Sequence, residues 1–261
     1  MDCLICGSAT RFYFSKRFDA HGLGEVQYWR CEGCGFTLSR THAEMSQADW
    51  ERLNREHHAA YQGTGVDAGD PRWLSRLESQ ADVLKDAAGR GLVPSGRWLD
   101  YACGDGKLSD LLHERHGPAL VKYDRYMEQP GYLDEAALVP RSFQLVVTTS
   151  VFEHLTRREQ FDAIENLVAS DGVLGLHTLV CEEVPQDPSW FYLAPVHCAF
   201  HTNRSMEILF RQWGYTSSVY SVPARLWLWF NGDPATVAAC AGPAYEFKRG
   251  FVDYWKVDPR R

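Results

Sequence analysis

The 261-residue chain has no long uninterrupted apolar run and no excess of basic residues. No segment approaches the roughly 20 apolar residues that a membrane-spanning helix needs, and the first thirty residues hold no signal peptide. Lysine and arginine number 27 against 34 aspartates and glutamates, so the formal net charge is -7. This balance argues against a broad nucleic-acid surface, which is usually basic. The sequence therefore predicts a cytoplasmic protein without a membrane partner.

Internal repeats and low-complexity tracts are absent as well. With 45% hydrophobic and 13% aromatic residues the chain can build a globular core. Its length suits one large domain with a small appendage. Eight cysteines in a reducing compartment indicate metal binding or packing before disulfides.

Four of these cysteines lie near the amino terminus in two similar pairs. Cys3 and Cys6 stand in "CLICG", and Cys31 and Cys34 stand in "CEGCG". The two-residue gap lets both thiolates of a pair face one ion, and the following glycine permits the positive φ that the turn requires. The spacing resembles a zinc ribbon and predicts a structural Zn²⁺ bound by four sulfurs within a module of residues 1–43.

This module has a functional and a structural interpretation. Nucleic-acid contact or redox chemistry would be functional, whereas a zinc ion that stabilises a segment too short for its own core would be structural. Residues 1–40 contain five basic and four acidic side chains, namely Arg11, Lys16, Arg17, Arg30 and Arg40 against Asp2, Asp19, Glu25 and Glu32. Because the positive excess is a single charge, the structural role is favoured.

The middle of the chain has helical patterns. Residues 44–62 and residues 73–89 each have the spacing of an amphipathic helix. The composition of "GTGVDAGDP", residues 63–71, marks a boundary between them. We therefore expect a helical linker over residues 44–92 and a larger domain over residues 93–261.

From residue 97 onward, strand patterns alternate with helical ones. The strands are "RWLDYA", "ALVKYD", "FQLVVTTS", "GVLGLHTLV", "YTSSVYSV" and "RLWLWF". This alternation predicts an α/β fold whose largely parallel sheet is covered by helices on both faces. Ligands of such sheets bind beyond the carboxyl ends of the strands. The turn in "WLDYACGDGKL" follows the first strand and lies at that place.

The same turn combines small residues with acids. Gly104 and Gly106 let the backbone approach a ligand closely. Asp124, at the end of the second strand, can accept hydrogen bonds from both hydroxyls of a ribose. Asp100 and Asp105 would repel a pyrophosphate, so the pattern departs from a dinucleotide site. The two carboxylates suit a cationic ligand that carries a free ammonium group.

The motifs "LDYACGDGKL", "SFQLVVTTSVFEHL" and "GVLGLHTL", together with Asp124, resemble class I S-adenosylmethionine-dependent methyltransferases over residues 97–230. The resemblance implies a Rossmann-like, seven-stranded sheet with a reversed last strand. It also implies that S-adenosyl-L-methionine lies across Gly104 and Gly106. Asp100 would then lie near its amino-acid tail and Asp124 on its ribose.

Two positions of this donor site differ from those of related enzymes. Ala102 stands where glycine is more common. Ser150 stands where some ubiquinone-pathway O-methyltransferases place a glutamate that completes a magnesium site with the "EH" pair. We assign both residues to the donor site and expect no magnesium dependence. For the adenine ring the sequence offers Asp134 or Glu135, although a solvated loop charge is the favoured interpretation of both.

Three histidines are candidates for the chemistry. A hydroxyl acceptor must lose a proton, which a histidine can accept near neutral pH. His154 follows a strand in "SVFEHL", and His197 and His201 lie between the next strand and its helix. His154 is the first candidate, then His201 and His197, with packing or helix capping as the alternative for each. The loop "SWFYLAP", residues 189–195, predicts an aromatic lid over the acceptor.

These patterns predict an S-adenosylmethionine-dependent methyltransferase that methylates an oxygen of a small-molecule acceptor, such as a sugar, glycan precursor or secondary metabolite. One alternative is an RNA methyltransferase that grips its substrate through the zinc ribbon. Another is a non-catalytic scaffold that binds the donor. The acidic balance and the lid favour a compact acceptor. Neither the identity of the acceptor nor the oligomeric state follows from the sequence.

Overall fold

The computed structural model describes residues 2–62, 71–127 and 129–253. The predicted boundary at residues 63–71 lies, apart from Pro71, outside the described residues. Within them, no helix is both long and apolar enough to span a bilayer.

The described chain forms two sheets and the helices that cover them. Its strands are β1 (Thr10–Phe18), β2 (Gly24–Cys31), β3 (Thr37–Ser39), β4 (Trp98–Tyr101), β5 (Val121–Tyr123), β6 (Phe143–Thr149), β7 (Val168–His177), β8 (Val180–Cys181), β9 (Ala199–Thr202), β10 (Ser217–Ser221), β11 (Leu226–Phe230) and β12 (Glu246–Arg249). Its helices are α1 (Arg40–Ala43), α2 (Gln47–Gln62), α3 (Pro71–Gly89), α4 (Lys107–His116), α5 (Arg158–Glu165), α6 (Asn203–Gln212) and α7 (Pro234–Ala241). Short 3₁₀ turns lie at Ala20–Gly22, Glu135–Ala137, Phe152–His154 and Gly242–Ala244.

The central sheet has seven strands in the order β12-β10-β11-β7-β6-β4-β5. Strand β4 is parallel to β5 and β6, and β6 is parallel to β7. Strand β11 is antiparallel to β7, and β10 and β12 continue this edge in antiparallel pairs. The predicted Rossmann-like α/β fold with a reversed strand is therefore confirmed.

One edge of this sheet ends early. After β5 the chain makes a single ladder-like hydrogen bond, from the Leu133 amide to the Lys122 carbonyl at 2.8 Å, and then forms the short turn Glu135–Ala137. The segment "PGYLDEAALVPRS" has a proline near each end and no continuous β-forming run, so it does not build a further strand. Strand β12 extends the opposite edge instead.

Helices cover both faces of the central sheet, and its middle strands are accordingly apolar on both sides. One core packs α3, α4 and α7 against the sheet, with Leu84, Leu112 and Val237 among its buried residues. The other packs α5 and α6, and it also includes Trp50 and Leu53 of α2. This second core continues into the cysteine-rich amino terminus, which places α2 and the amino terminus on the same face of the sheet.

The second sheet has the order β1-β2-β3-β9-β8. Strands β1 and β2 lie between the two cysteine pairs, and β2 ends at Cys31. Strands β8 and β9 come from the segment between β7 and α6, and β9 pairs with β3 through Leu38 opposite Ala199. The sheet thus joins residues of the predicted module to residues of the predicted larger domain. The predicted limits of these units, at residues 43 and 92, stay a prediction.

Candidate functional site

The carboxyl ends of β4, β5, β6 and β7 meet at one edge of the central sheet, where α/β folds bind ligands. Among the residues predicted for the donor, Asp100 lies near the end of β4, and the others follow β4, β5 or β6. His154 follows β6 in a 3₁₀ turn, and His197 comes from the segment after β7. The topology therefore brings the predicted donor residues and two of the three candidate histidines to the same edge.

The turn after β4 is left-handed at three positions. The φ angles are +57° at Ala102, +57° at Gly104 and +75° at Gly106. Glycine adopts such angles without strain, whereas alanine pays of order 1–3 kcal/mol. Ser150, at the end of the neighbouring strand β6, has a φ of +58°. Two non-glycine residues are thus held in an unfavourable conformation side by side, as is common at functional sites.

Asp124 holds this turn in shape. Its carboxylate accepts hydrogen bonds from the amides of Gly104 at 2.9 Å, Tyr126 at 2.8 Å and Met127 at 3.0 Å. Burial raises the pKa of this carboxyl, and the three amide donors oppose that rise. A carboxylate has about four lone-pair positions and three are taken here, so Oδ2 retains capacity for about one further donor, such as a hydroxyl.

Asp100 is almost fully buried, at 2% exposure. Its Oδ2 is buried and has no hydrogen-bond partner among the described residues. Burial, reinforced by the charge of Asp124, raises the pKa of Asp100 to about 8. An unpartnered buried carboxylate oxygen is costly unless a donor or a cation completes it. This observation fits a ligand that brings an ammonium group into the turn.

His154 and His197 lie against each other at this edge of the sheet. Their ring centroids are 5.0 Å apart with the planes at 82°, and His58 of α2 lies 5.5 Å from His154. The Nδ1 of His197 is 2.8 Å from the Tyr192 carbonyl. Because a carbonyl only accepts hydrogen bonds, Nδ1 is the protonated nitrogen and Nε2 keeps its lone pair.

The pKa values of His154 and His57 are low. Burial, followed by the neighbouring His197, His58 and His57, holds the pKa of His154 well below its usual range. Burial and the adjacent His58 lower the pKa of His57 to about 4. Both rings are therefore neutral at physiological pH.

Glu153, the first residue of the "EH" pair, also belongs to this site. It is 1% exposed, and its carboxylate accepts hydrogen bonds from the Tyr192 hydroxyl at 2.6 Å and from the Thr178 hydroxyl at 2.9 Å. It thereby ties the aromatic loop to the ends of β6 and β7. The only sequence signal for this role is its position next to His154.

Of the three aromatic residues of the predicted lid, one contacts the candidate histidines. Tyr192 lies 4.5 Å from the His197 ring, whereas Trp190 packs on Phe200 at 5.2 Å. Phe191 is 81% exposed. Asp134 and Glu135, the adenine candidates, are exposed on their loop, as expected of solvated charges.

His201 is on β9, away from this pair. Its ring is buried among Phe36, Phe152 and Phe161 at centroid distances of 5.0, 5.9 and 5.7 Å. Burial lowers its pKa to about 3. We therefore leave His201 out of the candidate catalytic groups.

Cys3, Cys6, Cys31 and Cys34 converge as the zinc prediction requires. Their Sγ atoms all lie within 4.8 Å of one another, with Cys3 to Cys34 at 3.7 Å and Cys6 to Cys31 at 3.4 Å. A tetrahedral zinc with bonds of about 2.3 Å sets its sulfurs roughly 3.8 Å apart. Backbone amides donate hydrogen bonds to two of these sulfurs. The Ile5 amide donates to the Cys3 Sγ, and the amides of Gly33 and Cys34 donate to the Cys31 Sγ. The donor set and spacing fit a structural zinc ion.

A second group of potential ligands comprises Glu153, His154 and His197, which each offer an atom within 4.8 Å of the others. The protein already uses most of these atoms. Both Glu153 oxygens accept hydroxyl donors, and the Nδ1 of His197 donates to Tyr192. We interpret this group as two packed histidine rings next to a glutamate that accepts two hydroxyl hydrogen bonds.

Comparison with known proteins gives a family. The family model described as a methyltransferase domain matches residues 73–218. No curated protein matches the chain.

Several solved structures are distantly similar. The Burkholderia thailandensis 1,6-didemethyltoxoflavin-N1-methyltransferase, solved with 1,6-didemethyltoxoflavin and S-adenosylhomocysteine, is 12% identical over 83% of this chain and 96% of its own, with a TM-score of 0.48. A SAM-dependent methyltransferase of Archaeoglobus fulgidus is 13% identical over 54% of this chain and 72% of its own, with a TM-score of 0.37. The Haemonchus contortus phosphoethanolamine N-methyltransferase 1 is 16% identical over 77% of this chain and 55% of its own, with a TM-score of 0.41.

The family model covers more than half of the chain and runs from α3 into β10. It thus includes the donor turn, Asp124 and His154. The chain belongs to the methyltransferase-domain family and is an S-adenosylmethionine-dependent methyltransferase.

Proposed function

We propose that the protein methylates an oxygen atom of a small-molecule acceptor, such as a sugar, glycan precursor or secondary metabolite. The observation that carries this proposal is the packed pair His154 and His197 at the same edge of the sheet as the donor turn, with the Nε2 of His197 left as a proton acceptor. A hydroxyl acceptor must lose a proton during transfer, and an imidazole is suited to take it.

For the donor we propose the following roles. S-adenosyl-L-methionine, when bound, supplies a methyl group on a positively charged sulfur. Asp124 would accept a hydrogen bond from a ribose hydroxyl through its Oδ2, and Asp100 would face the ammonium group. Gly104 and Gly106 would let the backbone lie close to the donor, and Ala102 and Ser150 would line it.

Within the pair we assign proton removal to His197 and positioning to His154. The Tyr192 carbonyl fixes the His197 tautomer, so its Nε2 can accept the hydroxyl proton as the acceptor oxygen bonds to the methyl carbon. The low pKa of His154 makes it a weak proton acceptor. Its ring instead supports that of His197.

We also propose that Cys3, Cys6, Cys31 and Cys34 hold a structural zinc ion, and that the protein is cytoplasmic. All eight cysteines are free thiols in the structure, which suits a reducing compartment.

Thermal unfolding and a transfer assay test this function. S-adenosylhomocysteine at about 100 times its Kd should stabilise the protein by about 2.7 kcal/mol and raise its Tm by several degrees. Incubation with methyl-labelled donor and a panel of hydroxylated small molecules should label one class at oxygen. An unchanged Tm would refute the donor site, and label on nitrogen or carbon would refute the O-directed assignment.

Donor binding should depend on pH through Asp100. With a pKa of about 8 its carboxyl is mostly protonated in the free protein at pH 7. Because the ammonium of S-adenosylhomocysteine favours the ionised form, affinity should rise up to about tenfold per pH unit below pH 8 and then level off. Calorimetry from pH 6 to 8.5 measures this slope. The slope should disappear in Asp100→Asn, and its persistence there would place the titrating group elsewhere.

A further inference from the structure

The structure assigns the amino-terminal residues a positioning role in the acceptor half of the site. We name residues 2–43 the cysteine module and residues 182–198 the acceptor segment. The cysteine module holds the acceptor segment, and with it His197, in the geometry for transfer, whereas the donor turn is formed without it. This inference rests on the proposed function only in calling the segment the acceptor side.

Hydrogen bonds from the cysteine module lie on both sides of His197. The His42 Nε2 donates to the Pro195 carbonyl at 2.8 Å. The Ser39 amide donates to the Cys198 carbonyl at 2.7 Å. The backbone of His197 is therefore fixed two residues before and one residue after the histidine.

The rest of the acceptor segment is held in the same way. From β1, the Tyr13 hydroxyl donates to the Val184 carbonyl at 2.8 Å, and the Lys16 Nζ donates to the Leu193 carbonyl at 2.9 Å. In return the Gln186 side-chain amide donates to the Tyr13 carbonyl at 2.7 Å. Leu193 directly follows the tyrosine whose carbonyl sets the His197 tautomer, so the Lys16 bond acts next to the catalytic pair.

The second cysteine pair contacts the end of β9, the strand that directly follows the acceptor segment. The Thr202 hydroxyl donates to the Cys34 carbonyl at 2.6 Å and accepts from the Ser205 amide at 3.1 Å, which caps α6. A Cβ on Gly35 would lie only 3.1 Å from the Thr202 methyl carbon. The cysteine turn therefore packs tightly on the junction of β9 and α6.

The donor turn makes its hydrogen bonds elsewhere. Gly104 bonds to Asp124 and to the Tyr132 hydroxyl, and the Cys103 amide donates to the Tyr123 carbonyl. In the part of the chain that the structure describes, none of the hydrogen bonds of residues 100–106 reaches the cysteine module. Loosening the module should therefore disturb the acceptor segment and leave donor binding intact.

The test uses the full-length double variant Tyr13→Phe/Lys16→Met, which removes two module-to-segment bonds and no cysteine or candidate catalytic group. The matched control is Tyr245→Phe/Lys248→Met. This control also removes one hydrogen bond of a tyrosine hydroxyl and one of a lysine. These are the bonds from Tyr245 to Asp86 and from Lys248 to Asp253, and neither involves the cysteine module. Zinc content by elemental analysis, compared with that of the original chain, verifies that the module is intact in each.

Hydrogen exchange and donor binding give the two readouts. Amides of residues 184–197 should exchange about thirtyfold faster in the module variant and at the original rate in the control. The Kd for S-adenosylhomocysteine should stay within about twofold in both variants, while kcat falls in the module variant alone. Equal exchange in both variants, or parallel loss of donor affinity, would overturn the inference. If the original chain binds no S-adenosylhomocysteine, the proposed function fails, and hydrogen exchange still decides whether the module holds the segment.

Discussion

Replacing Asp124 with alanine is expected to weaken the binding of S-adenosylhomocysteine about a hundredfold, because hydrogen bonds to a charged carboxylate contribute about 1.5–3 kcal/mol each and 1.4 kcal/mol is tenfold in Kd. The substitution removes the proposed ribose acceptor. It also removes the acceptor for the amides of Gly104, Tyr126 and Met127, so the turn itself would relax. Isothermal calorimetry measures the effect.

Two further variants separate these contributions. Asp124→Asn keeps one carbonyl oxygen, so we expect a loss of about tenfold in affinity with the turn retained. Asp134→Ala removes an exposed acid of the neighbouring loop and should leave the Kd unchanged. Unchanged affinity in Asp124→Ala would remove this residue from the donor site.

Replacing His197 with alanine is expected to lower kcat by a factor of about 10² to 10⁴, the usual contribution of a general base. Donor affinity should stay within about twofold, because His197 faces the acceptor. His154→Ala should lower kcat less, but still more than it lowers donor affinity. Steady-state kinetics with the acceptor found by the transfer assay, together with calorimetry, measures both.

The matched control is His113→Ala. His113 is exposed on α4, and its Nδ1 lies 2.9 Å from the Gly117 carbonyl, the same kind of contact that His197 makes with Tyr192. It should retain full turnover. A larger loss in His154→Ala than in His197→Ala would reverse the assignment of the base, and equal losses of turnover and donor affinity would mean that the histidine shapes the pocket.

Local patterns predicted most of the central sheet. Each quoted strand of residues 97–230 is present, because apolar runs bounded by glycine or polar residues leave few alternatives. The donor turn could also be predicted from the sequence, because its glycines and acids are close together in the chain at the end of a strand. Residues 130–142, which form no further strand after β5, have two prolines and no continuous β-forming run. Strand β12 was not predicted, because its short and partly exposed sequence carries no period.

Contacts between distant parts of the chain were not predictable in this way. The pairing of Leu38 with Ala199 joins two short strands whose sequences give no sign of a shared sheet. The hydroxyl partners of Glu153 come from separate segments, so its role is visible only in the folded chain. The packing of His58 against His154 likewise depends on where α2 crosses the site. The burial of His201 follows from β9 lying inside a sheet, which spacing alone does not show.

The pairing of β3 with β9 has a consequence for evolution and engineering. If the first 43 residues were cut away, β9 would present unpaired backbone groups at an open sheet edge, where proteins tend to associate. A transplant of residues 182–202, which include β9, between relatives would bring β9 against a foreign β3. Under the proposed function, a change of acceptor would therefore require the exchange of both stretches, which lie far apart in the gene.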